Sequence, residues 1–173
     1  MTKNFRLISL LFILLLTVSC SGKLVLSTSD VHALIKTDSE MQQFNMQLSF
    51  KQQSFTGMLI VQRKADSEIR IVAATYFGPT LFDFGLKNGE FVVYNCIKPL
   101  RNKNLIKLFE NDFKQLFLPN RKFRKIKEYE AYEERVSGWN FGKTVFFMYK
   151  NIERFVIKHS WIGTTIQLDK LMG

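Results

Sequence analysis

The spacing of hydrophobic residues changes twice along this chain, and that change constrains the fold more than any single residue does. Phe44, Met46, Leu48 and Phe50 alternate with Asn45, Gln47 and Ser49. A period of two sends alternate side chains to opposite faces of a strand, one buried and one wet. Phe55, Gly57, Leu59 and Val61 continue the pattern, closed by Arg63 and Lys64. Ile69, Ile71, Ala73 and Thr75 form a third strand, Leu81 to Leu86 a fourth, and Phe91 to Ile97 a fifth. Asn88-Gly89 between the last two is a strong hairpin signal, because its tight turn needs positive φ at both positions. Connections this short require antiparallel neighbours, since parallel strands need long crossovers.

The period then lengthens. Leu105, Leu108, Phe109, Phe113, Leu116 and Phe117 mark one stripe of an amphipathic helix. Asn102 or Asn104 is placed to cap its start, and Pro119 forbids its continuation. Period two returns over 123–136, 139–149, 152–161 and 164–171, with turn chemistry at Ser137-Gly138, Lys150-Asn151 and Ile162-Gly163. A further short helix is expected between Val31 and Phe44, capped by Asp30 or Ser39. The fold class is therefore α+β, mainly β: an antiparallel sheet with a helix packed across its concave side.

The first 22 residues have a separate logic. Lys3 and Arg6 precede a greasy run from Leu7 to Leu16, and Leu16-Thr17-Val18-Ser19 leads into Cys20. A positive start, a short apolar run and a small-residue exit mark a cleaved secretory signal. The run is about half the roughly 20 residues that a membrane-spanning helix needs. Its ending resembles the lipobox of bacterial lipoproteins, with Thr17 where that motif more often has Leu. The resemblance implies a signal peptide over 1–19, cleavage before Cys20, and acylation of that cysteine. Residues 20–29 read as a lipidated tether and 30–173 as a single domain. Ser21-Gly22 places no acidic residue after the lipid, which permits sorting to the outer membrane, facing the periplasm.

Composition narrows the partners. Setting aside Lys3 and Arg6, 23 basic residues stand against 15 acidic ones, a net of +8. A basic exported protein meets anionic lipid rather than nucleic acid. Cys96 has no disulfide partner within the chain if Cys20 carries lipid, and reads as a packing residue. The 17 phenylalanines exceed what a core of this size requires, so the core is aromatic-heavy or some of them line a greasy cavity.

No catalytic constellation is visible: there is no G-x-S-x-G, phosphate loop or H-E-x-x-H. His32 and His159 are isolated, which rules out a credible zinc site, and neither metal nor cofactor is expected. His159 shares a strand face with Phe155, Ile157 and Trp161 and reads as a satisfied core histidine. Glu128, Glu130, Glu133 and Glu134 read as a solvated face. Val145 to Tyr149 is apolar on both faces, as in a fully covered central strand or one whose inner face lines a lipid cavity. Lys98, Arg101, Lys103 and Lys107 lie before or within the helix start, and Arg121, Lys122, Arg124, Lys125 and Lys127 follow it. They form either one positive rim, with Lys98, Arg101, Lys103, Arg121, Lys122 and Lys125 as its members, or an ordinary soluble surface.

The layout resembles the LolA/LolB superfamily of outer-membrane lipoprotein carriers and receptors, including its uncharacterised lipoprotein branch. The likeness is clearest at Thr75-Tyr76-Phe77-Gly78-Pro79-Thr80-Leu81-Phe82-Asp83-Phe84 and at Leu116-Phe117-Leu118-Pro119. The resemblance implies a sheet curled into an open half-barrel over an apolar cavity. It assigns membrane insertion to Phe77, although Tyr76 and Pro79 depart from the receptor's loop. It assigns cavity lining, as a class, to Leu59, Ile71, Phe84, Phe146 and Ile157. The function so implied is non-enzymatic: a monomer, anchored by acylated Cys20, takes lipid or acylated lipoprotein cargo, with a periplasmic carrier protein as a further expected partner. Rival readings are a carrier for another hydrophobic product, and a structural adaptor with a closed core that docks a partner through its basic rim. Open or filled space beside Phe84, Phe146 and Ile157 discriminates between them.

Overall fold

The computed structural model describes residues 23–25, 32–37, 40–139 and 142–171. Among them are eleven strands in one antiparallel sheet: β1 (Lys23–Val25), β2 (Gln42–Phe50), β3 (Gln53–Arg63), β4 (Ile69–Ala74), β5 (Thr80–Lys87), β6 (Glu90–Cys96), β7 (Lys125–Glu128), β8 (Tyr132–Ser137), β9 (Thr144–Tyr149), β10 (Arg154–His159) and β11 (Thr164–Lys170). Their order across the sheet is β1-β7-β8-β9-β10-β11-β2-β3-β4-β5-β6, with β1 and β6 as unjoined edges. The two sequence blocks meet where β11 pairs with β2, from Thr164↔Phe50 to Lys170↔Phe44. Between them run a short 3-10 turn (Lys98–Leu100) and helix α1 (Lys103–Phe117). The fold is α+β, mainly β, and the sheet is not closed.

Local chemistry accounts for these elements. In β2 the buried positions are Phe44, Met46 and Leu48, and in β3 they are Gly57, Leu59 and Val61. The Asn88-Gly89 turn has φ of 52° and 82°, as its sequence requires. The Asn102 side chain accepts a hydrogen bond from the Asn104 backbone N–H at 2.9 Å, and Leu118 before Pro119 ends α1. Gly57 is needed at a close approach beside the β-bulge at Ala73/Ala74: an added Cβ would lie 2.0 Å from the Ala74 carbonyl oxygen.

Three expectations need correction. The stretch 123–136 is two strands, not one: Tyr129 to Ala131 turn the chain, and Tyr129 N–H donates to the Tyr132 carbonyl at 2.9 Å. Residues 139–143 do not extend β9, which begins at Thr144. The short helix expected before β2 is absent from described residues 32–37, and Gln42 to Phe44 belong to β2, while Asp30 and Ser39 lie outside the described residues. In addition, Lys23 to Val25, expected within the tether, pair with β7 from Lys23↔Glu128 to Val25↔Ile126. Cys20 and the rest of the signal region lie outside the described residues.

Helix α1 carries the core. Leu105, Leu108, Phe109, Phe113, Leu116 and Phe117 are buried together with the inward residues of β2–β5 and with Phe146, Ile157, Ile166 and Leu168, in one cluster. Phe109 and Phe113 lie 5.2 and 5.9 Å from the ring of Phe82 on β5. Three residues after Phe109, the Asp112 carboxylate meets the His159 Nε2 on β10 at 2.7 Å. Gln115 donates to the Ser137 hydroxyl on β8 at 3.1 Å. Burying one phenylalanine stabilises by roughly 1.5–3 kcal/mol, so these rings are a large part of what holds the sheet together.

Candidate functional site

The residues assigned to a cavity sit inside the packed cluster. Leu59, Ile71, Phe84 and Ile157 are 0% exposed and Phe146 is 1% exposed. Phe84 stacks on Phe82 with ring centres 4.5 Å apart and also touches Phe91, Phe109 and Phe113. Of the five, Phe146 borders a cleft of about 260 Å³, shared with Asp112, Gln115, Arg121 and Thr144. A cleft of about 530 Å³ opens between the β2–β3 turn and Pro99-Asn102, and one of about 290 Å³ lies between His32 to Leu34 and Met148, Glu153 and Phe155. The outer face of β9 is half-covered: Phe147, itself half-buried, has the Tyr132 ring at 5.9 Å and the Lys158 ammonium at 5.2 Å.

His159 is a satisfied histidine. Its Nε2 meets Asp112 at 2.7 Å and its Nδ1 meets the Thr144 hydroxyl at 3.1 Å, both in buried surroundings. Burial pushes the Asp112 carboxyl up from its ordinary value, and the His159 hydrogen bond works against that rise. Hydroxyl, imidazole and carboxylate stand in the order of a nucleophilic relay. A nucleophile is usually displayed on an exposed sharp turn, however, whereas Thr144 is buried in β9 at 8% exposure. The trio's physical effect is to fasten α1 to β9 and β10. Cys96 is buried and free, and burial raises its thiol pKa, which makes it inert. Among the described residues no cluster of metal ligands occurs, and no helix is long and apolar enough to cross a membrane.

The surface is divided by the two ends of the sheet. Because every neighbouring pair is antiparallel, alternate connections fall at the same end. One end carries residues 51–52, 75–79, 97–102, 118–124, 138–143 and 160–163. The other carries 64–68, 88–89, 129–131 and 150–153. The first, the aromatic end, displays Phe77 at 103%, Trp139 at 70% and Trp161 at 67% exposure, together with Tyr76 and Ile162. Its six segments contain seven lysines and arginines and no aspartate or glutamate. The second, the ion-paired end, mixes Lys64 and Lys150 with Asp66, Glu68, Glu130 and Glu153. There Lys87 pairs with Asp66 at 3.0 Å, Lys150 with Glu128 at 2.7 Å and Lys170 with Glu153 at 2.9 Å.

Among the residues assigned to a basic rim, Lys98, Arg101, Lys103 and Lys122 are exposed, while Arg121 and Lys125 are half-buried. Lys98, Arg101 and Lys103 lie at the start of α1, the other three beyond its end. A helix of 15 residues separates the two groups by about 22 Å, yet both adjoin the same end of the sheet. Sequence reasoning placed Arg124 in the basic run but did not assign Lys51, Lys143, Trp139, Trp161 or Ile162 to any site. Arg124 lies over the Trp139 ring at 4.4 Å, which fixes an indole that would otherwise hang from the β8–β9 connection. The signal for this group was the charge of alternate turns. Neither protein-family models nor curated proteins give a match to this chain.

Proposed function

We propose that this is a membrane-anchored lipoprotein of LolA/LolB-like form that binds acyl chains inside a curled sheet. It is acylated at Cys20 and held at the outer membrane facing the periplasm. It takes lipid or acylated lipoprotein cargo, handed over by a periplasmic carrier, and uses no catalytic chemistry. The observation that carries the reading is the reach of α1. Phe109 touches β5 and Asp112, one turn on, touches β10, although five places separate those strands in the sheet. In a flat sheet they would stand about 24 Å apart, more than the roughly 10 Å girth of a helix. The sheet therefore curls into a half-barrel with α1 across its concave side.

The interior so enclosed is greasy, and α1 occupies it. Acyl chains enter as α1 swings aside and replace its Leu and Phe side chains, with about 0.8 kcal/mol gained per buried methylene. Phe77, fully exposed at the tip of the β4–β5 connection, is placed to pass the chain to a bilayer. The test is native mass spectrometry of the full acylated chain, paired with uptake of a fluorescent acyl probe. Bound phospholipid or acylated peptide, and uptake that rises when His159→Phe loosens α1, are the expected results. An empty protein that ignores the probe in both forms contradicts the reading. That outcome favours the second reading, an adaptor docking a partner through its basic rim, which the full burial of Leu59, Ile71, Phe84 and Ile157 supports.

A further inference from the structure

We infer that the aromatic end is a docking face for an anionic lipid bilayer, formed by the connections that carry Tyr76, Phe77, Trp139, Trp161 and Ile162. Five of the nine large hydrophobic side chains that stand exposed among the described residues lie at this end. They occupy three separate connections, so their clustering reflects the antiparallel topology and not one greasy loop. Indole rings are at home at the boundary between headgroups and acyl chains, where an apolar body and a polar N–H are both accommodated.

Charge selects the kind of surface. Lys51 lies in the β2–β3 turn, Lys98 and Arg101 beside the start of α1, Arg121, Lys122 and Arg124 after its end, and Lys143 before β9. Not one acidic residue interrupts them in the six segments, although the chain holds 15 elsewhere or in its strands and helix. By contrast, Lys87, Lys150 and Lys170 at the opposite end meet carboxylates at 2.7 to 3.0 Å. An acidic protein partner would complement the charge as well, but would need its own pockets for rings set on three connections. A bilayer receives them at any spacing, and each basic residue near an anionic surface strengthens attachment about fivefold. The inference rests on the chain being membrane-bound and not on its taking up acyl chains.

The two tryptophans are the only ones in the chain, and both stand at this end, so they report docking without a label. The full acylated chain is reconstituted on vesicles of phosphatidylcholine alone or with about a third phosphatidylglycerol, and co-sedimentation records anchoring separately. On the anionic vesicles the tryptophan emission shifts to the blue and is quenched by lipids brominated on their acyl chains. Neutral vesicles, or salt of roughly 0.5 M that cuts the Debye length to a few ångström, abolish both effects. Lys98→Gln with Lys122→Gln lowers the docked-to-undocked ratio about 25-fold, at about fivefold per charge, with unchanged circular dichroism. Trp139→Phe and Trp161→Phe each leave one quenchable indole. Water-exposed, unquenched tryptophans on anionic vesicles that the chain co-sediments with overturn the proposal and hand the face to a protein partner. Equal quenching on neutral vesicles overturns the role of charge. Docking without acyl-probe uptake, or uptake without docking, separates this inference from the proposed function.

Discussion

The two ends of the sheet are made by the same strands and differ in almost everything their connections expose. At one end lysines sit beside carboxylates, as with Lys87 and Asp66 or Lys150 and Glu128, and two of its connections are short hairpin turns. At the other, basic residues have no acidic neighbours in their segments, and phenylalanine and tryptophan stand in water. Exposed ion pairs contribute little to stability, so the paired end is organised for solvation. Exposed rings contribute nothing to the core and cost solubility, which makes the aromatic end the place where selection for a contact is legible. The difference teaches that function here is written in turns, while the strands between them are committed to packing.

The comparison is broken most severely by removing what supports the aromatic end. Helix α1 connects both basic groups, and Phe113 is buried among Phe82, Phe84, Phe109 and Phe117. Phe113→Ala is expected to cost about 3–5 kcal/mol in urea unfolding, from lost transfer energy and the cavity left behind. Asp112→Ala comes next, at about 1–3 kcal/mol by thermal unfolding, because the buried His159 Nε2 loses its partner. Phe77→Glu should leave stability within about 0.5 kcal/mol, since the ring touches nothing it must leave, yet reduce acyl transfer in a liposome assay. Asp66→Asn should lower the unfolding midpoint least of the four at neutral pH, because its pair with Lys87 is open to solvent.

Acid sharpens the same contrast. The Lys87 hydrogen bond holds the Asp66 carboxyl below the ordinary value of 3.8, so its pair is present above that value and lost as pH falls through the folded midpoint. Burial moves Asp112 the other way, above 3.8, so its contribution is complete in acid and declines as pH rises through its raised midpoint. Carboxyl carbon shifts recorded from pH 2 upward should therefore give Asp66 the lower midpoint and Asp112 the higher. The reverse order would contradict the burial assigned to α1.

Most of the fold could be read before any coordinates. Alternation in β2–β6, the Asn88-Gly89 turn and the stripe from Leu105 to Phe117 are local signals, and local signals survive packing. One missed turn had a wide consequence. Reading 123–136 as a single strand reverses every later connection, which would place Trp139 and Trp161 at the end opposite Phe77. Nothing in Tyr129-Glu130-Ala131 marks a turn by glycine, proline or asparagine. The Tyr129–Tyr132 stack, with centres 4.6 Å apart, helps to hold it, and the tertiary tie is the Lys150 N–H donating to the Ala131 carbonyl at 3.1 Å. The curl proposed for the sheet was likewise beyond periodicity, because it is argued from which distant strands one helix touches. His159 was legible as a core residue from its apolar face, but its partner Asp112 was not, since 47 residues separate them.

The most direct measurement is hydrogen–deuterium exchange of the full chain on anionic vesicles, compared with the same chain on neutral ones. The account predicts new protection in segments 75–79, 138–143 and 160–163, with residues 64–68 and 150–153 exchanging as before. Equal protection at both ends, or protection of the ion-paired end alone, would contradict the division of the sheet into a contact end and a solvated one.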